Sequence, residues 1–266
     1  HLPVSTHVYT DHEGHPPQNW TLTDILTQSS NVGTIKIAQK LGPPKMREYL
    51  AKFGLGQHTG LPFPNETRGI TKDGHWDATD IGSIPIGSGL GVSALQMLQV
   101  FNTLANGGEW IQPHLVKEVV GPQGHGTKPA EPERRRVVSK LTAKQMTAMM
   151  TNVVSRGTGK NAAIAGYTVA GKTGTAQKPN ENNVRGYETG AYYSTFAGFV
   201  PAEAPRLSAI VVFDEPRPTY YAGQIAAPVF ARIQKYALRQ FKIPAPQRGL
   251  GVSVPVAEPT DINRQD

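Results

Sequence analysis

The sequence predicts an α+β fold, in which a mostly helical first part precedes an antiparallel sheet that a last helix covers. Apolar residues recur at helical spacing in several segments before Arg156, and three segments of strand-like composition follow it. A further helical pattern runs from Ile225 to Phe241. The 266 residues, of which 38% are hydrophobic, suffice for one large or two small domains with a closed core. The composition therefore argues against wholesale disorder.

Three helices are predicted after an N-terminal segment, residues 1–20, which shows no helical period and reads as extended or looped. Thr21 and Asp24 form a capping pair ahead of the first helix, and a polar run, residues 28–31, interrupts its apolar face. Apolar residues at helical spacing then predict two more helices, over residues 32–41 and 46–53.

The middle of the chain is predicted to be less regular. Residues 54–92 hold many glycines and prolines and predict a long irregular connection over the surface. The remaining predicted elements of this part are a helix at 95–104, a strand at 115–120, a polar hairpin loop at 122–132, a returning strand at 137 and 138, and a helix that begins at a Thr142–Gln145 capping box.

The last third of the chain changes character and becomes rich in β-branched and aromatic residues. The three predicted strands span residues 167–177, 192–200 and 207–213. The closing helix is predicted to bury Val229, Ile233 and Tyr236, with either Leu238 or Phe241. The domain is therefore predicted to cover residues 1–243, and residues 244–266 to form a Pro/Gly-rich flexible tail.

Composition excludes several kinds of protein. The absence of cysteine excludes disulfides and cysteine zinc sites, and the longest aliphatic or aromatic stretch, Ala209 to Phe213, is too short for a membrane-spanning helix. The formal charge of +7 is modest and spread through the chain, so it selects no partner. His7, His12 and His15 lack the spacing of a metal site. The run from Arg134 to Arg136 has no interleaved aromatic residues and predicts a solvated hairpin end, so no nucleic acid is expected.

The first short motif with chemical potential is Ser29-Ser30-Asn31, which lies between two predicted helices. Two hydroxyls and a carboxamide could project together into a cleft at this break. The alternative is a plain helix break in which Ser30 or Asn31 caps the next helix, since these residue types are preferred caps.

The second motif, from Gly171 to Thr175, places a cation, two hydroxyls and two glycines on one predicted strand. Glycine in a strand allows another backbone to approach closely, so an extended peptide could lie along this strand. The alternative is a surface strand with a bulge at the glycines.

Taken together, four ordered segments resemble the transpeptidase domain of class B penicillin-binding proteins, most closely the septal, cell-division type. They are residues 29–33 (SSNVG), 87–93 (GSGLGVS), 170–176 (AGKTGTA) and 195–201 (TFAGFVP). The Ser-x-Asn and Lys-Thr-Gly triplets are two of the three motifs of penicillin-recognising serine enzymes. The resemblance runs from about Asp11 to Phe241 and implies the penicillin-binding and serine β-lactamase-like fold, an antiparallel sheet packed with helices plus a helical subdomain.

The resemblance implies a serine D,D-transpeptidase that attacks the D-Ala-D-Ala end of peptidoglycan stem peptides and that β-lactams acylate, with no cofactor or metal. It implies that Ser29 relays a proton and that Asn31 holds the substrate amide. It implies that Lys172 supplies positive potential for the substrate carboxylate. The implied substrate-binding residues are Thr173, Gly174, the backbone N–H of Thr175 as an oxyanion donor, and Tyr220 and Tyr221 as an aromatic wall. For the two tyrosines, plain surface packing is the alternative.

The third motif of the family, Ser-x-x-Lys, carries the nucleophile and its base. No serine of this chain has lysine three residues later. We therefore expect the nucleophile to lie before His1, the chain to be the C-terminal part of the domain, and the chain alone to be inactive. Its own N-terminal segment is then an expected partner.

Two alternatives remain at the level of sequence. A serine β-lactamase or penicillin sensor would share the fold, although the Glu-x-x-Leu-Asn segment of class A β-lactamases is absent. A non-catalytic peptidoglycan-binding fragment is the other. The resemblance further implies cell-division proteins as partners and a periplasmic location, anchored in the inner membrane by an N-terminal helix outside this chain.

Overall fold

The structure, a computed structural model, describes residues 1–12, 14–72, 74–180 and 186–246. Most of the predicted tail, residues 247–266, lies outside the described residues. The elements of the first part are β1 (Leu2–Val4), β2 (His7–Tyr9), α1 (Leu22–Gln28), α2 (Asn31–Leu41), α3 (Pro43–Lys52), α4 (Asp80–Ser83) and α5 (Ala94–Ala105). They are followed by β3 (Glu109–Ile111), β4 (Val119–Val120), β5 (Gly126–Thr127), β6 (Arg134–Arg136), α6 (Lys140–Arg156), β7 (Ala170–Pro179), β8 (Tyr187–Val200), β9 (Leu207–Asp214) and α7 (Ala222–Gln240).

The main sheet has the order β7-β8-β9 and is antiparallel, so the three predicted strands and the α+β class are confirmed. Its central strand β8 is covered on both faces, as the alternation of its side chains requires. Phe196 and Val200 join the cluster of buried residues that α7 packs against, whereas Ala197 and Phe199 join the cluster formed with α5 and α6. The sheet thus lies between α7 on one face and α5 and α6 on the other.

The face that α7 buries differs from the predicted one. Ile233 and Tyr236 are exposed, and the buried positions follow an i, i+4 stripe: Ala222, Ala226, Phe230, Gln234 and Leu238. Small residues at the start of this stripe let the helix approach the sheet closely, and the Phe230 ring packs at 4.7 Å from Phe196. Phe241 is exposed as well, so the choice between Leu238 and Phe241 falls to Leu238.

The small hairpin lies at other residues than predicted. β3 pairs with β6, so Arg134 to Arg136 form a strand and not a solvated hairpin end. The reason is the packing of Arg135 on Trp110. Trp110 is buried, and the guanidinium of Arg135 lies 3.6 Å from the centroid of its ring. The predicted strand at 115–120 is largely exposed and contains only the short β4, which pairs with β5. The returning strand predicted at Val137 and Val138 is displaced, because β6 ends at Arg136 and these two residues follow it.

The predicted helix boundaries agree with the structure for α1 but not for α3 and α6. α1 begins after the predicted Thr21–Asp24 capping box, which is confirmed. α6 begins earlier than predicted, because Ser139 and not Thr142 accepts the capping bond, from the Thr142 N–H. α3 begins at Pro43, since proline is favoured in the first turn of a helix, where its missing N–H costs nothing.

The connection from 54 to 92 and the N-terminal segment are more ordered than predicted. The connection contains α4 and a 3-10 turn at Ile84–Ile86, and it buries Trp76, which is 5% exposed. The N-terminal segment contains the antiparallel pair β1 and β2. Among the described residues, no helix is both long enough and apolar enough to cross a membrane.

The stability of the fold should depend on the face of α7 that the structure buries. Phe230→Ala removes a fully buried ring and should lower the free energy of unfolding by about 3–5 kcal/mol. Tyr236→Ala, on the same helix but 66% exposed, should change it by less than about 0.5 kcal/mol. Urea unfolding followed by circular dichroism measures both. Equal losses for the two variants would contradict the assigned face.

Candidate active site

The first side of the candidate site is the turn between α1 and α2. Ser29 ends α1 in the left-handed conformation, with φ 59° and ψ 45°. The N–H groups of Ser29 and Ser30 donate to the carbonyls of Leu26 and Ile25, which closes the helix. A non-glycine residue at positive φ costs about 1–3 kcal/mol and persists only where its surroundings hold it. The backbone of Ser29 is therefore held under strain in a sharp turn.

Ser30 is the N-cap of α2. Its Oγ accepts from the N–H of Gly33 at 2.9 Å and donates to the carboxylate of Asp11. The capping alternative at this motif is therefore correct for Ser30. It does not displace the chemical interpretation, since the hydroxyl of the preceding Ser29 has a different partner.

That partner is Lys172 of β7, 143 positions further along the chain. The Lys172 Nζ donates to the Ser29 Oγ at 2.7 Å and to the carbonyl oxygen of Thr173 at 3.0 Å. The side chain is half-buried, and burial lowers the pKa of Lys172 to about 8. The two sequence motifs therefore meet at one place through a direct bond between their side chains.

The neighbouring Thr173 forms a pair of hydroxyls with Thr158, which follows α6. The two Oγ1 atoms lie 2.7 Å apart. Thr158 is itself placed by its N–H, which donates to the carbonyl of Thr27 at 3.3 Å. A Cβ at Gly157 would collide with that same carbonyl, so only glycine allows the end of α6 to approach α1 this closely. The sequence interpretation missed Thr158, whose only signal was the short Gly157-Thr158-Gly159 run.

The rest of the second motif is a regular strand. Its pairing with β8 is continuous from Ala170 to Gln177, and the irregularity lies between Gln177 and Pro179. The predicted alternative of a bulge at the glycines is therefore wrong. Gly171 is instead required by close packing, because a Cβ there would meet the Phe196 ring at 2.6 Å.

Gly174 and Thr175 continue this strand towards the start of α7. The carbonyl of Gly174 accepts from the Oγ1 of Thr195 at 3.3 Å. Thr175 is exposed, and its Oγ1 accepts from the N–H of Ala222, the first residue of α7, at 3.4 Å. The N-terminus of α7 thus lies beside the motif strand.

Tyr220 and Tyr221 immediately precede α7. The Tyr220 ring stacks on Tyr192 with centroids 4.1 Å apart, and the Tyr221 ring lies 5.0 Å from the ring of His12. Tyr221 is also the N-cap residue of α7, next to the contact with Thr175. The aromatic cluster therefore borders the same end of β7, and its members Tyr192 and His12 were not identified from the sequence.

Asn31 bonds to the N-terminal segment. Its Nδ2 donates to the carbonyl of Thr10 at 3.1 Å. The adjacent Asp11 accepts from Ser30 and from the N–H of Val32, another contact that the sequence interpretation missed. The segment before Thr21 is therefore bonded directly to the turn that contains Ser30 and Asn31.

Comparison with known proteins identifies the family of this chain. Residues 3–235 match the family described as the penicillin binding protein transpeptidase domain. Penicillin-binding protein PbpB of Mycolicibacterium smegmatis is 38% identical over 240 residues, which cover 86% of this chain and 37% of that protein. Stage V sporulation protein D of Bacillus subtilis is 32% identical over 231 residues, covering 84% of this chain and 35% of that protein.

Solved structures of penicillin-binding proteins have the same fold as this chain. Penicillin binding protein 3 from Mycobacterium tuberculosis, complexed with ampicillin, superposes with a TM-score of 0.83 and 36% identity over 90% of this chain and 55% of that one. This chain spans between 35% and 37% of the length of the curated relatives PbpB and Stage V sporulation protein D. Since the family match extends over most of the chain, the chain belongs to the penicillin-binding protein transpeptidase-domain family.

Proposed function

We propose that this chain forms part of a serine D,D-transpeptidase that cross-links peptidoglycan stem peptides and that β-lactams acylate. The observation that carries the proposal is the 2.7 Å bond from Lys172 Nζ to Ser29 Oγ, because it unites two motifs of serine acyl transfer in one site. Relatives named as probable peptidoglycan D,D-transpeptidases, among them PbpC of Pseudomonas aeruginosa, support the reaction class. Similar solved structures of penicillin binding protein 3, complexed with ampicillin and with aztreonam, support β-lactams as the inhibitors.

The direction of the Ser29–Lys172 bond suits proton transfer. An ammonium group has no lone pair, so Ser29 Oγ accepts in this bond and its own proton stays available for another acceptor. In the proposed reaction a serine attacks the carbonyl of the penultimate D-Ala, and its proton passes through Ser29 to the nitrogen that leaves with the terminal D-Ala. An amine of a neighbouring strand then attacks the acyl-serine ester, the amide bond forms as the ester bond breaks, and a proton of the amine passes to the serine oxygen and restores the serine.

The cation and the hydroxyls suit the carboxylate at the end of the stem peptide. Lys172 supplies a half-buried positive charge, and Thr173 supplies a hydroxyl donor beside it. Within the described residues, β7 pairs on one side only, with β8, so its other edge can receive an extended peptide. The proposed oxyanion donor is the backbone N–H of Thr175. Gly174 leaves room for the peptide, Asn31 holds the substrate amide, and Tyr220 and Tyr221 form the wall.

The nucleophile is proposed to come from a segment outside this chain, since no serine here has lysine three residues later. The open edge of β9 supports such a segment. β9 pairs only with β8 among the described residues, yet its sequence Leu-Ser-Ala-Ile-Val-Val-Phe-Asp suits a strand with neighbours on both sides. A preceding segment could add strands there.

The proposal includes the location that the resemblance implies, at the periplasmic face of the inner membrane, with an N-terminal anchor and cell-division partners.

The nucleophile assignment predicts a difference between the chain and its longer parent. A fluorescent penicillin should not label the 266-residue chain alone, because the Ser-x-x-Lys motif is absent. A polypeptide that carries this chain behind its natural Ser-x-x-Lys segment should be labelled once and should keep the label for long periods. Electrophoresis and mass spectrometry measure the label. Covalent label on any serine of the chain alone would contradict the assignment, and rapid release from the longer polypeptide would indicate a β-lactamase.

The role of Lys172 predicts a pH dependence. Because its pKa is lowered to about 8, the amine is charged below that pH and loses its charge as the pH rises through it. In the longer polypeptide, acylation by penicillin should fall as the pH rises past about 8, and Lys172→Arg should abolish this decline, since arginine does not titrate there.

Removal of the charge should be costly below pH 8, where the wild-type amine is protonated. Lys172→Met should slow acylation by about 10²–10³-fold, the usual cost of losing one electrostatic stabiliser. Lys235→Met, an exposed lysine of α7, is the control and should acylate at the wild-type rate. If the acylation rate of Lys172→Arg still declined above pH 8, the assignment of the pH dependence to Lys172 would be wrong.

The proposed role of Thr173 in binding the substrate carboxylate predicts a loss of acylation rate when its hydroxyl is removed. A hydrogen bond to a charged group contributes about 1.5–3 kcal/mol, so Thr173→Val should weaken acylation by penicillin about 10- to 100-fold, whereas Thr173→Ser should retain it. Thr151→Val is a matched control, because that hydroxyl only donates to the helix carbonyl of Ala148. Stopped-flow acylation measures the rates. Equal rates for the two Thr173 variants would show that the hydroxyl is not used.

A further inference from the structure

We propose that Asp11 is the positioning residue of the site: its carboxylate holds the turn at Ser29 in the conformation that presents the Ser29 hydroxyl to Lys172. The inference rests on the proposed function for its catalytic consequence. Asp11 touches none of the proposed reacting groups, so its effect is indirect and passes through Ser30 and Val32.

Asp11 is bonded to the turn by both carboxylate oxygens. Oδ1 accepts from the hydroxyl of Ser30 at 2.9 Å and from the N–H of Val32 at 3.0 Å, and Oδ2 lies 3.0 Å from the same hydroxyl. The side chain is 13% exposed. Removing this carboxylate from water has a cost, which its hydrogen bonds offset, because bonds to an ionised acceptor are about twice as strong as neutral ones.

The donors of Asp11 lie directly after the strained residue. Ser29 has positive φ, and Ser30 and Val32 follow it, while Asn31 between them donates to the carbonyl of Thr10. Three successive residues are thus bonded to the adjacent pair Thr10 and Asp11. Since strain at positive φ persists only where the surroundings hold it, these bonds are the restraint on one side of the turn, and Lys172 is the contact on the other.

The charge of Asp11 is stabilised from a third direction. His15 Nε2 lies 3.0 Å from Asp11 Oδ2, and its Nδ1 lies 2.9 Å from the carbonyl of Pro16. Both ring nitrogens therefore face acceptors, which only the protonated imidazole can satisfy. Its ring also lies 4.6 Å from Trp20. Partial burial opposes the charge of Asp11, but hydrogen bonds from Val32, His15 and Ser30 lower the pKa of Asp11 below its usual value.

The test uses the longer polypeptide that a fluorescent penicillin labels, with Asp11→Asn and Asp11→Glu. Asparagine removes the charge and turns a donor towards Ser30 or His15, whereas glutamate keeps an acceptor on a longer arm. Asp77→Asn is the matched control, because Asp77 also accepts two backbone N–H bonds, from Thr79 and Asp80, and pairs with a lysine. Each variant is measured for acylation rate at saturating penicillin, initial affinity and the fraction of molecules labelled.

Asp11→Asn should lower the saturating acylation rate by about 10- to 100-fold, since a displacement of about 1 Å at a reacting group costs that much. Initial affinity should change by less than about threefold, because the carboxylate site on β7 is intact, and Asp11→Glu should recover part of the rate. Asp77→Asn should acylate as the wild type does. A smaller labelled fraction with a normal rate in that fraction would show that Asp11 serves folding alone, and would overturn the inference.

A second readout is independent of acylation. If Asp11 holds Ser29 over Lys172, then Asp11→Asn should expose the amine and raise the pKa of Lys172 from about 8 towards its ordinary value, measured by nuclear magnetic resonance titration of labelled lysine. An unchanged Lys172 pKa in a folded Asp11→Asn variant overturns the inference. Failure of the wild-type polypeptide to be acylated would instead overturn the proposed function, and the Lys172 titration would still decide the role of Asp11.

Discussion

The arrangement of the site depends on one contact, the bond between Lys172 of an edge strand and Ser29 of a helix-to-helix turn. Neither partner is free to move far. Lys172 lies on β7, whose pairing with β8 is continuous on both sides of it, and Ser29 lies in a turn that α1, α2 and the N-terminal segment all hold. The contact can therefore be short and lasting although 143 positions separate its members. A site held this way is organised before any ligand arrives, which is what electrostatic catalysis requires.

The sheet and helices place β7 by close packing. The buried rings of Phe196 and Phe230 fill the space between β8 and α7, and Gly171 lets β7 lie directly against Phe196. At the other end, the turn after α6 reaches α1 through the bond from Thr158 to Thr27. The same turn brings the Thr158 hydroxyl to Thr173. Packing of the core and placement of the polar groups are thus two results of the same close approaches.

The sequence could predict features that rest on local chemistry. The Thr21–Asp24 capping box, the three strands of the sheet and the two polar motifs each depend on residues close together in the chain, and the structure contains all of them. Features that rest on distant partners were predicted poorly. Trp110 and Arg135 form a strand pair because they pack on each other, and the buried stripe of α7 is set by which face of the helix meets the sheet. Asp11 gave no sequence signal, since a lone aspartate in an irregular segment is common.

By itself, the sequence determined which groups are available: a cation, several hydroxyls and a carboxamide on segments whose order matches a known family. It also determined that a Ser-x-x-Lys pair is not among the 266 residues. Only the tertiary structure decided that Lys172 bonds to Ser29, that Ser30 serves as a cap, and that Asn31 and Asp11 join the turn to the N-terminal segment. The physical reason is that hydrogen bonds and van der Waals contacts act over a few ångströms of space, so the fold, and not the spacing along the chain, selects which polar groups meet.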